Sequence, residues 1–144
     1  VATADGFAQA LVKLDPPNAG RWRTFRRDLR AAYERSLRPL PTPGAVQFAE
    51  VVRKVSERVA ETGIITSGAG NYSQFVHRYT RYAMYPSSLA PSSGSMGYGL
   101  PAAIAAKLEY PDRTVVAYAG DGCFMMTAQE LSTAVQYGLP IVVI

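Results

Sequence analysis

Between Thr114 and Ile144 an apolar run, the tripeptide Gly120-Asp121-Gly122, an amphipathic segment, Leu139-Pro140 and a second apolar run follow one another directly. Val115-Val116-Ala117-Tyr118-Ala119 is short and β-prone, while Ala128, Leu131, Ala134 and Val135 recur at helical spacing. The glycines therefore fall in a strand-to-helix turn. In an open parallel sheet, ligands gather outside the carboxyl ends of the strands, and here that position carries one carboxylate flanked by residues without side chains. A hard cation such as Mg²⁺ takes oxygen ligands, usually one or two carboxylates together with substrate phosphates. Asp121 is the candidate metal ligand, and the amides of Gly122 and Cys123 are candidate donors to phosphate oxygens. Asp-Gly is also a common turn dipeptide, so the tripeptide needs its context.

That context is a pair of signatures. Gly-Asp-Gly-Cys-Phe-Met-Met-Thr-Ala-Gln-Glu-Leu-Ser-Thr-Ala, from Gly120 to Ala134, resembles the cofactor motif of the thiamine-diphosphate (ThDP) enzymes of the acetolactate synthase and pyruvate decarboxylase superfamily. Upstream, Gly94-Ser95-Met96-Gly97-Tyr98-Gly99-Leu100-Pro101-Ala102-Ala103 resembles the second signature of that superfamily, in the same order and spacing. The resemblance runs from about Ala45 to Ile144 and is greatest to the acetolactate-synthase-like branch. It implies an α/β fold, a three-layer α/β/α arrangement with a mostly parallel sheet, forming the first part of a cofactor-binding (PP) domain behind a helical connector. The cofactors it implies are ThDP and Mg²⁺, with FAD belonging to a middle domain outside these residues.

Site roles follow from the same resemblance. Asp121 is expected on the metal, and Gly120, Gly122 and Cys123 around the diphosphate. Met96 is expected to wedge the folded cofactor and to donate its amide to a ring nitrogen, while the Gly94 carbonyl accepts from the exocyclic amine and Ser95 lies between them. Gly70-Asn71-Tyr72-Ser73 stands where relatives usually carry Gly-Gln-His-Gln near the diphosphate. Only Asn71 is carried over there, since Tyr72 departs from the pattern. An asparagine pair that completes the metal site is expected just beyond Ile144. The activating glutamate is expected on a pyrimidine-binding domain of a partner subunit, so no residue of this segment is assigned a catalytic role.

The rest of the chain sets boundaries. Asp5 to Leu14 reads as a short helix capped by Asp5 and closed by Asp15-Pro16-Pro17, the tail of a preceding domain over residues 1–17. Trp22, Phe25, Leu29, Tyr33 and Leu37 form an apolar stripe among Arg21, Arg23, Arg26, Arg27, Arg30, Arg35 and Arg38, an amphipathic helix. With the semi-rigid Pro39, Pro41, Pro43 and Gly44 it makes a connector over residues 18–44, and the cofactor domain occupies 45–144. There, Phe48 to Val59 reads as a helix, Gly63 to Gly68 as a buried strand, and Met96 to Leu108 as a small-residue helix. The chain starts without Met and stops inside Ile141-Val142-Val143-Ile144, which reads as a cut strand.

Charge and cysteine usage exclude several classes. The 15 basic and 11 acidic residues give +4, concentrated in the arginine-rich helix. The arginines surround a regular apolar stripe without an aromatic platform or nucleic-acid motif, so a solvated helix face is expected and no nucleic-acid partner. No stretch is long enough for a membrane span, and no membrane partner is expected. A single Cys forms no internal bridge, which suits a cytoplasmic location, and Cys123 reads as a small filler with a useful amide. One histidine, His77, and one cysteine assemble neither a zinc site nor a Ser/His/Asp constellation, and His77 reads as structural. Gly68-x-Gly70 and Gly97-x-Gly99 are too incomplete for a dinucleotide fingerprint.

The functional expectation is part of a ThDP- and Mg²⁺-dependent enzyme that decarboxylates a 2-keto acid and ligates the product to a second one. A 2-keto acid decarboxylase and a non-catalytic ThDP-binding module are the alternatives. A homodimer or homotetramer with its active site at the subunit interface is implied, and the isolated segment is expected to be inactive.

Overall fold

The computed structural model describes residues 2–16, 18 and 20–144. They divide into two compact units, Val1–Arg38 and Pro39–Ile144, with the division at the head of the Pro-rich stretch.

The first unit holds α1 (Ala4–Val12) and α2 (Gly20–Ser36). Thr3, not Asp5, is the N-cap of α1. Its backbone is extended and its hydroxyl accepts from the Gly6 amide at 3.2 Å, which satisfies a donor that the first helical turn leaves open. Asp5 sits in the first turn, two residues after the cap, and accepts from the Gln9 side chain at 2.9 Å. Pro17, the last residue of the expected stop, lies outside the described residues. No residue of α2 is buried; Trp22, Phe25, Leu29 and Tyr33 are each more than half exposed. Arg21 lies over the Trp22 ring and Arg30 over Tyr33, so the guanidinium stems cover part of the stripe.

The second unit opens on a turn held by one side chain. Gln47 accepts from the Thr42 amide at 2.8 Å and donates to the carbonyls of Thr42 and Gly44. The elements that follow are α3 (Phe48–Val59), β1 (Ile64–Ser67), α4 (Asn71–Tyr79), β2 (Ser88–Leu89), α5 (Gly99–Glu109), β3 (Val115–Tyr118), α6 (Asp121–Thr127), a 3₁₀ turn (Ala128–Glu130), α7 (Leu131–Gln136) and β4 (Val142–Val143). All strand pairs are parallel, in the order β2-β1-β3-β4. β1 and β3 run in register from Ile64 opposite Val115 to Ser67 opposite Tyr118, and every residue of both is buried. That is why these strands show no polar alternation in sequence.

Helices cover both faces of the sheet. Ala49, Val52 and Val59 of α3 and Val76 and Tyr79 of α4 pack with Ile65, Val116 and Tyr118. Ala103 and Ala106 of α5 pack with Ile64, Val115 and Ala117 on the opposite face. The expected three-layer α/β/α arrangement is present, and the alanines let α5 lie close to the strands.

Two helix boundaries of the second unit also differ from the sequence reading. The small-residue helix begins at Gly99 rather than Met96 because Gly97 adopts φ of +79°, a left-handed conformation that no helix continues through. The segment after Gly-Asp-Gly starts at Asp121 and is not one helix. Thr127 leaves helical geometry at φ −138° and a 3₁₀ turn separates α6 from α7. The apolar periodicity breaks with it, so Ala134 is buried while Val135 is 81% exposed. β2, only two residues long, carried too little pattern to be seen.

Candidate functional site

β1 and β3 end side by side, so the chain leaving Ser67 and the chain leaving Tyr118 emerge at the same edge. Gly120 follows with φ −65° and ψ 163° and serves as the N-cap of α6 without a capping side chain. The first-turn amides of α6 therefore have no side-chain acceptor, and the first amide within the helix to find a carbonyl is that of Phe124, which donates to Gly120 at 2.8 Å. Asp121 is exposed at the first position of the helix, where a negative charge is favoured. None of the ion pairs among the described residues involves it.

The structure brings the second signature onto the first. A Cβ placed on Gly122 would lie 3.0 Å from the Met96 Cε, so Met96, 46% exposed, reaches over the Gly-Asp-Gly turn. Gly94 is exposed with φ of +71°, and the Ser95 hydroxyl pairs with that of Ser93 at 2.8 Å. α6 grips Gly97 at both of its backbone groups. Cys123 Sγ accepts from the Gly97 amide at 3.3 Å, and Thr127 Oγ1 donates to the Gly97 carbonyl at 3.0 Å. Cys123 and Thr127, four apart, share one helix face.

Asn71, carried over from the resemblance, is exposed at the start of α4, and the neighbouring Tyr72 is the residue that turns inward. A Cβ on Gly70 or on Gly120 would come within 2.9 Å of the Tyr72 ring. The phenol accepts from the Gly68 amide at 3.0 Å and donates to Cys123 Sγ at 3.2 Å. The thiol in turn donates to the Ala69 carbonyl at 3.3 Å. Burial first, then the thiol, push the Tyr72 phenol up to about 12, so it stays a neutral donor. Cys123 is thus more than a small filler with a useful amide. It is 3% exposed, and its sulfur is bonded to three residues in two other segments, Ala69 and Tyr72 after β1 and Gly97 before α5. The sequence reading passed over Tyr72 because a phenol and a thiol 51 positions apart show no periodic pattern. His77 is exposed in the last turn of α4.

The residues present fit a diphosphate and its cation. An unpaired exposed carboxylate stands beside uncapped amides, and glycines at 120 and 122 leave the approach free of side chains. Among the described residues no group of three or more His, Cys, Asp or Glu side chains could hold a metal. A cation at this turn would therefore have one carboxylate from these residues, Asp121, and would take its other ligands from phosphate oxygens or other groups. No described helix is long and apolar enough to cross a membrane.

Comparison with known proteins agrees with this geometry. Residues 68–144 match the thiamine pyrophosphate enzyme, C-terminal TPP binding domain family. The acetolactate synthase large subunit of Haemophilus influenzae is 36% identical over 104 residues, which are 72% of this chain and 18% of that protein. The sulfoacetaldehyde acetyltransferase of Alcaligenes xylosoxydans xylosoxydans is 35% identical over 103 residues, 70% of this chain and 17% of that protein. Among solved structures, the thiamine diphosphate-dependent 4-hydroxybenzoylformate decarboxylase of Rhodococcus jostii RHA1 superposes with a TM-score of 0.66 at 27% identity, over 74% of this chain and 20% of that one. The chain spans about a fifth of the length of the curated relatives it matches. With more than half of its residues in the family match and its glycine turns at the carboxyl ends of parallel strands, this chain belongs to the thiamine pyrophosphate enzymes, in their acetolactate-synthase-like branch.

Proposed function

We propose that this chain is the ThDP- and Mg²⁺-binding portion of a larger enzyme that decarboxylates a 2-keto acid and joins the remaining fragment to a second keto acid. The observation that carries the reading is Asp121, exposed and unpaired at the carboxyl end of β3, at the head of a helix whose first amides lack a capping side chain. Asp121 would ligate the cation, and the amides of Gly122 and Cys123 would donate to the diphosphate oxygens. Gly120 admits the diphosphate. Met96 would pack against the cofactor, its amide and the Gly94 carbonyl would hold the pyrimidine, and Ser95 and Asn71 would line the approach. When bound, ThDP supplies an electron sink for the carbon that loses CO₂.

This chain assigns no side chain to proton transfer. The activating glutamate comes from a partner subunit, which makes the enzyme a homodimer or homotetramer. A single buried thiol fits a cytoplasmic setting. The similarity to a protein described as a decarboxylase favours a second reading, simple decarboxylation of a 2-keto acid to an aldehyde. Product analysis separates the two, since carboligation yields an acetohydroxy acid.

Asp121→Ala in the full-length protein tests the site. The change removes a ligand from an exposed turn, so the melting temperature of the cofactor-free protein should be unchanged while Mg²⁺-dependent ThDP binding is lost by calorimetric titration. Wild-type cofactor affinity in this variant would overturn the assignment.

A further inference from the structure

Three separate segments carry the residues proposed to hold the cofactor. They are the loop after β1, the turn before α5, and the head of α6. What fixes their spacing is a short chain of neutral hydrogen bonds. The Gly68 amide donates to the Tyr72 hydroxyl at 3.0 Å, and that hydroxyl donates to Cys123 Sγ at 3.2 Å. The thiol donates to the Ala69 carbonyl and accepts from the Gly97 amide, each at 3.3 Å. The proton count closes, because each O–H or S–H donates once and each heavy atom accepts what remains. Thr127 closes the chain on the Gly97 carbonyl at 3.0 Å.

The space around this chain is fitted to it. A Cβ at Gly68 would collide with Cys123 Sγ, and one at Gly120 would approach the Tyr72 ring to 2.9 Å. A Cβ at Gly97 would meet Met126 Cβ and Thr127 Cγ2 at 3.2 and 3.1 Å. The backbone segments are therefore drawn together to the length of one phenol and one thiol. Tyr72 is only partly buried and stands between the glycines of both loops.

Resting on the ThDP reading above, we propose that Tyr72 is a positioning residue for the cofactor, acting through Cys123 to hold the Gly-Asp-Gly turn and the Met96 turn at the separation the bound cofactor needs. The phenol itself need not touch the cofactor. Its role is to spare binding energy that a slack site would spend on closing the three segments around the ligand.

The test is a double-mutant cycle in the full-length protein, read as the dissociation constant of ThDP at saturating Mg²⁺ by calorimetry, well below the melting temperature. Tyr72→Phe should weaken binding about tenfold, and Cys123→Ala, which also breaks the bonds to Gly97 and Ala69, at least as much. The double variant should lose clearly less than the product of the two single factors, because both changes break the Tyr72–Cys123 bond. A role in stability alone would lower the melting temperature of the cofactor-free protein and leave the dissociation constant unmoved. That result, or a double variant that loses the product of the two single factors, overturns the proposal. Should Cys123→Ala fail to fold, Tyr72→Phe alone carries the test, and an unmoved dissociation constant in it overturns the proposal. Wild-type protein that does not bind ThDP with Mg²⁺ sinks the functional reading instead, so the two failures are told apart.

Discussion

The two ends of the central strands are cross-linked by different chemistry. At the amino ends of β1 and β3, Arg113 donates to the carbonyls of Thr62 at 2.8 Å and Gly63 at 2.9 Å, and Lys107 donates to the Arg113 carbonyl at 2.7 Å. Charged donors meet backbone acceptors there, and the Arg113 guanidinium also lies over the Tyr110 ring. At the carboxyl ends every cross-link is neutral, made by a phenol, a thiol, a threonine hydroxyl and amides. The difference has a physical sense. A fixed cation beside Asp121 would compensate its charge and would compete with the proposed metal, whereas neutral bonds hold the loops and leave the carboxylate and the α6 amides available. Charge secures the end that only has to be stable, and weaker neutral contacts shape the end that has to bind.

The largest effect is expected from breaking the carboxyl end at its tightest point. A Cβ on Gly99 would lie 2.9 Å from the Gly68 amide nitrogen, 3.0 Å from the Ser67 carbonyl carbon and 3.2 Å from the Tyr118 carbonyl oxygen. All three are backbone atoms of the two central strands and their exits, and they cannot swing aside as a side-chain tip can. Gly99→Ala should cost about 3 kcal/mol, at the upper end of ordinary overpacking, and should weaken ThDP binding as α5 is pushed off the loops. Denaturant midpoints and calorimetry measure the two effects. An unchanged midpoint would mean that helix and strands have slack, contrary to the close approach seen here.

A smaller effect, confined to stability, is expected at the other end. Arg113→Ala removes two charge-assisted bonds and should cost about 2 kcal/mol with the ThDP dissociation constant unchanged. A parallel loss of cofactor affinity would show that the two ends are coupled and that the division of labour between them is wrong.

The contrast between the ends also explains what could be read in the sequence. The buried runs Ile64–Ser67 and Val115–Tyr118, the Gly-Asp-Gly turn and the alanine-rich α5 all rest on local pattern, and the α/β fold with its parallel sheet was expected from the resemblance that the two signatures carry. The place of Asp121 in the turn between β3 and α6 was legible because the flanking glycines and the signature around them mark a strand-to-helix turn. Tyr72 was not, since its importance lies in meeting a thiol from another loop. Likewise the break at Thr127 depends on Thr127 turning to bond Gly97, a tertiary contact that overrides the helical spacing of Ala128, Leu131, Ala134 and Val135. Thr3 took the cap from Asp5 for a local reason, because its oxygen reaches the Gly6 amide from the extended residue before the helix.

The smallest effect should come from Tyr118, which sits at the carboxyl end yet takes no part in its network. Its hydroxyl is buried without a hydrogen-bond partner among the described residues, unlike that of Tyr72. Removing an unpartnered buried hydroxyl forfeits no bond, so Tyr118→Phe should change stability at neutral pH by no more than about 1 kcal/mol. Alkaline pH magnifies the difference. Burial pushes both the Tyr118 and Tyr72 phenols up to about 12, against about 10 in an unfolded chain. Each raised value contributes stability that is fully present below about pH 10 and is lost as pH climbs through about 12, because only the unfolded chain can release the proton in that window. The wild-type urea midpoint should therefore fall above about pH 10, and in Tyr118→Phe, with one of the two titrations removed, it should fall less steeply. Equal slopes in the two proteins would mean that the Tyr118 hydroxyl finds solvent or a partner in solution, and the buried face of β3 would then be looser at its carboxyl end than its packing implies.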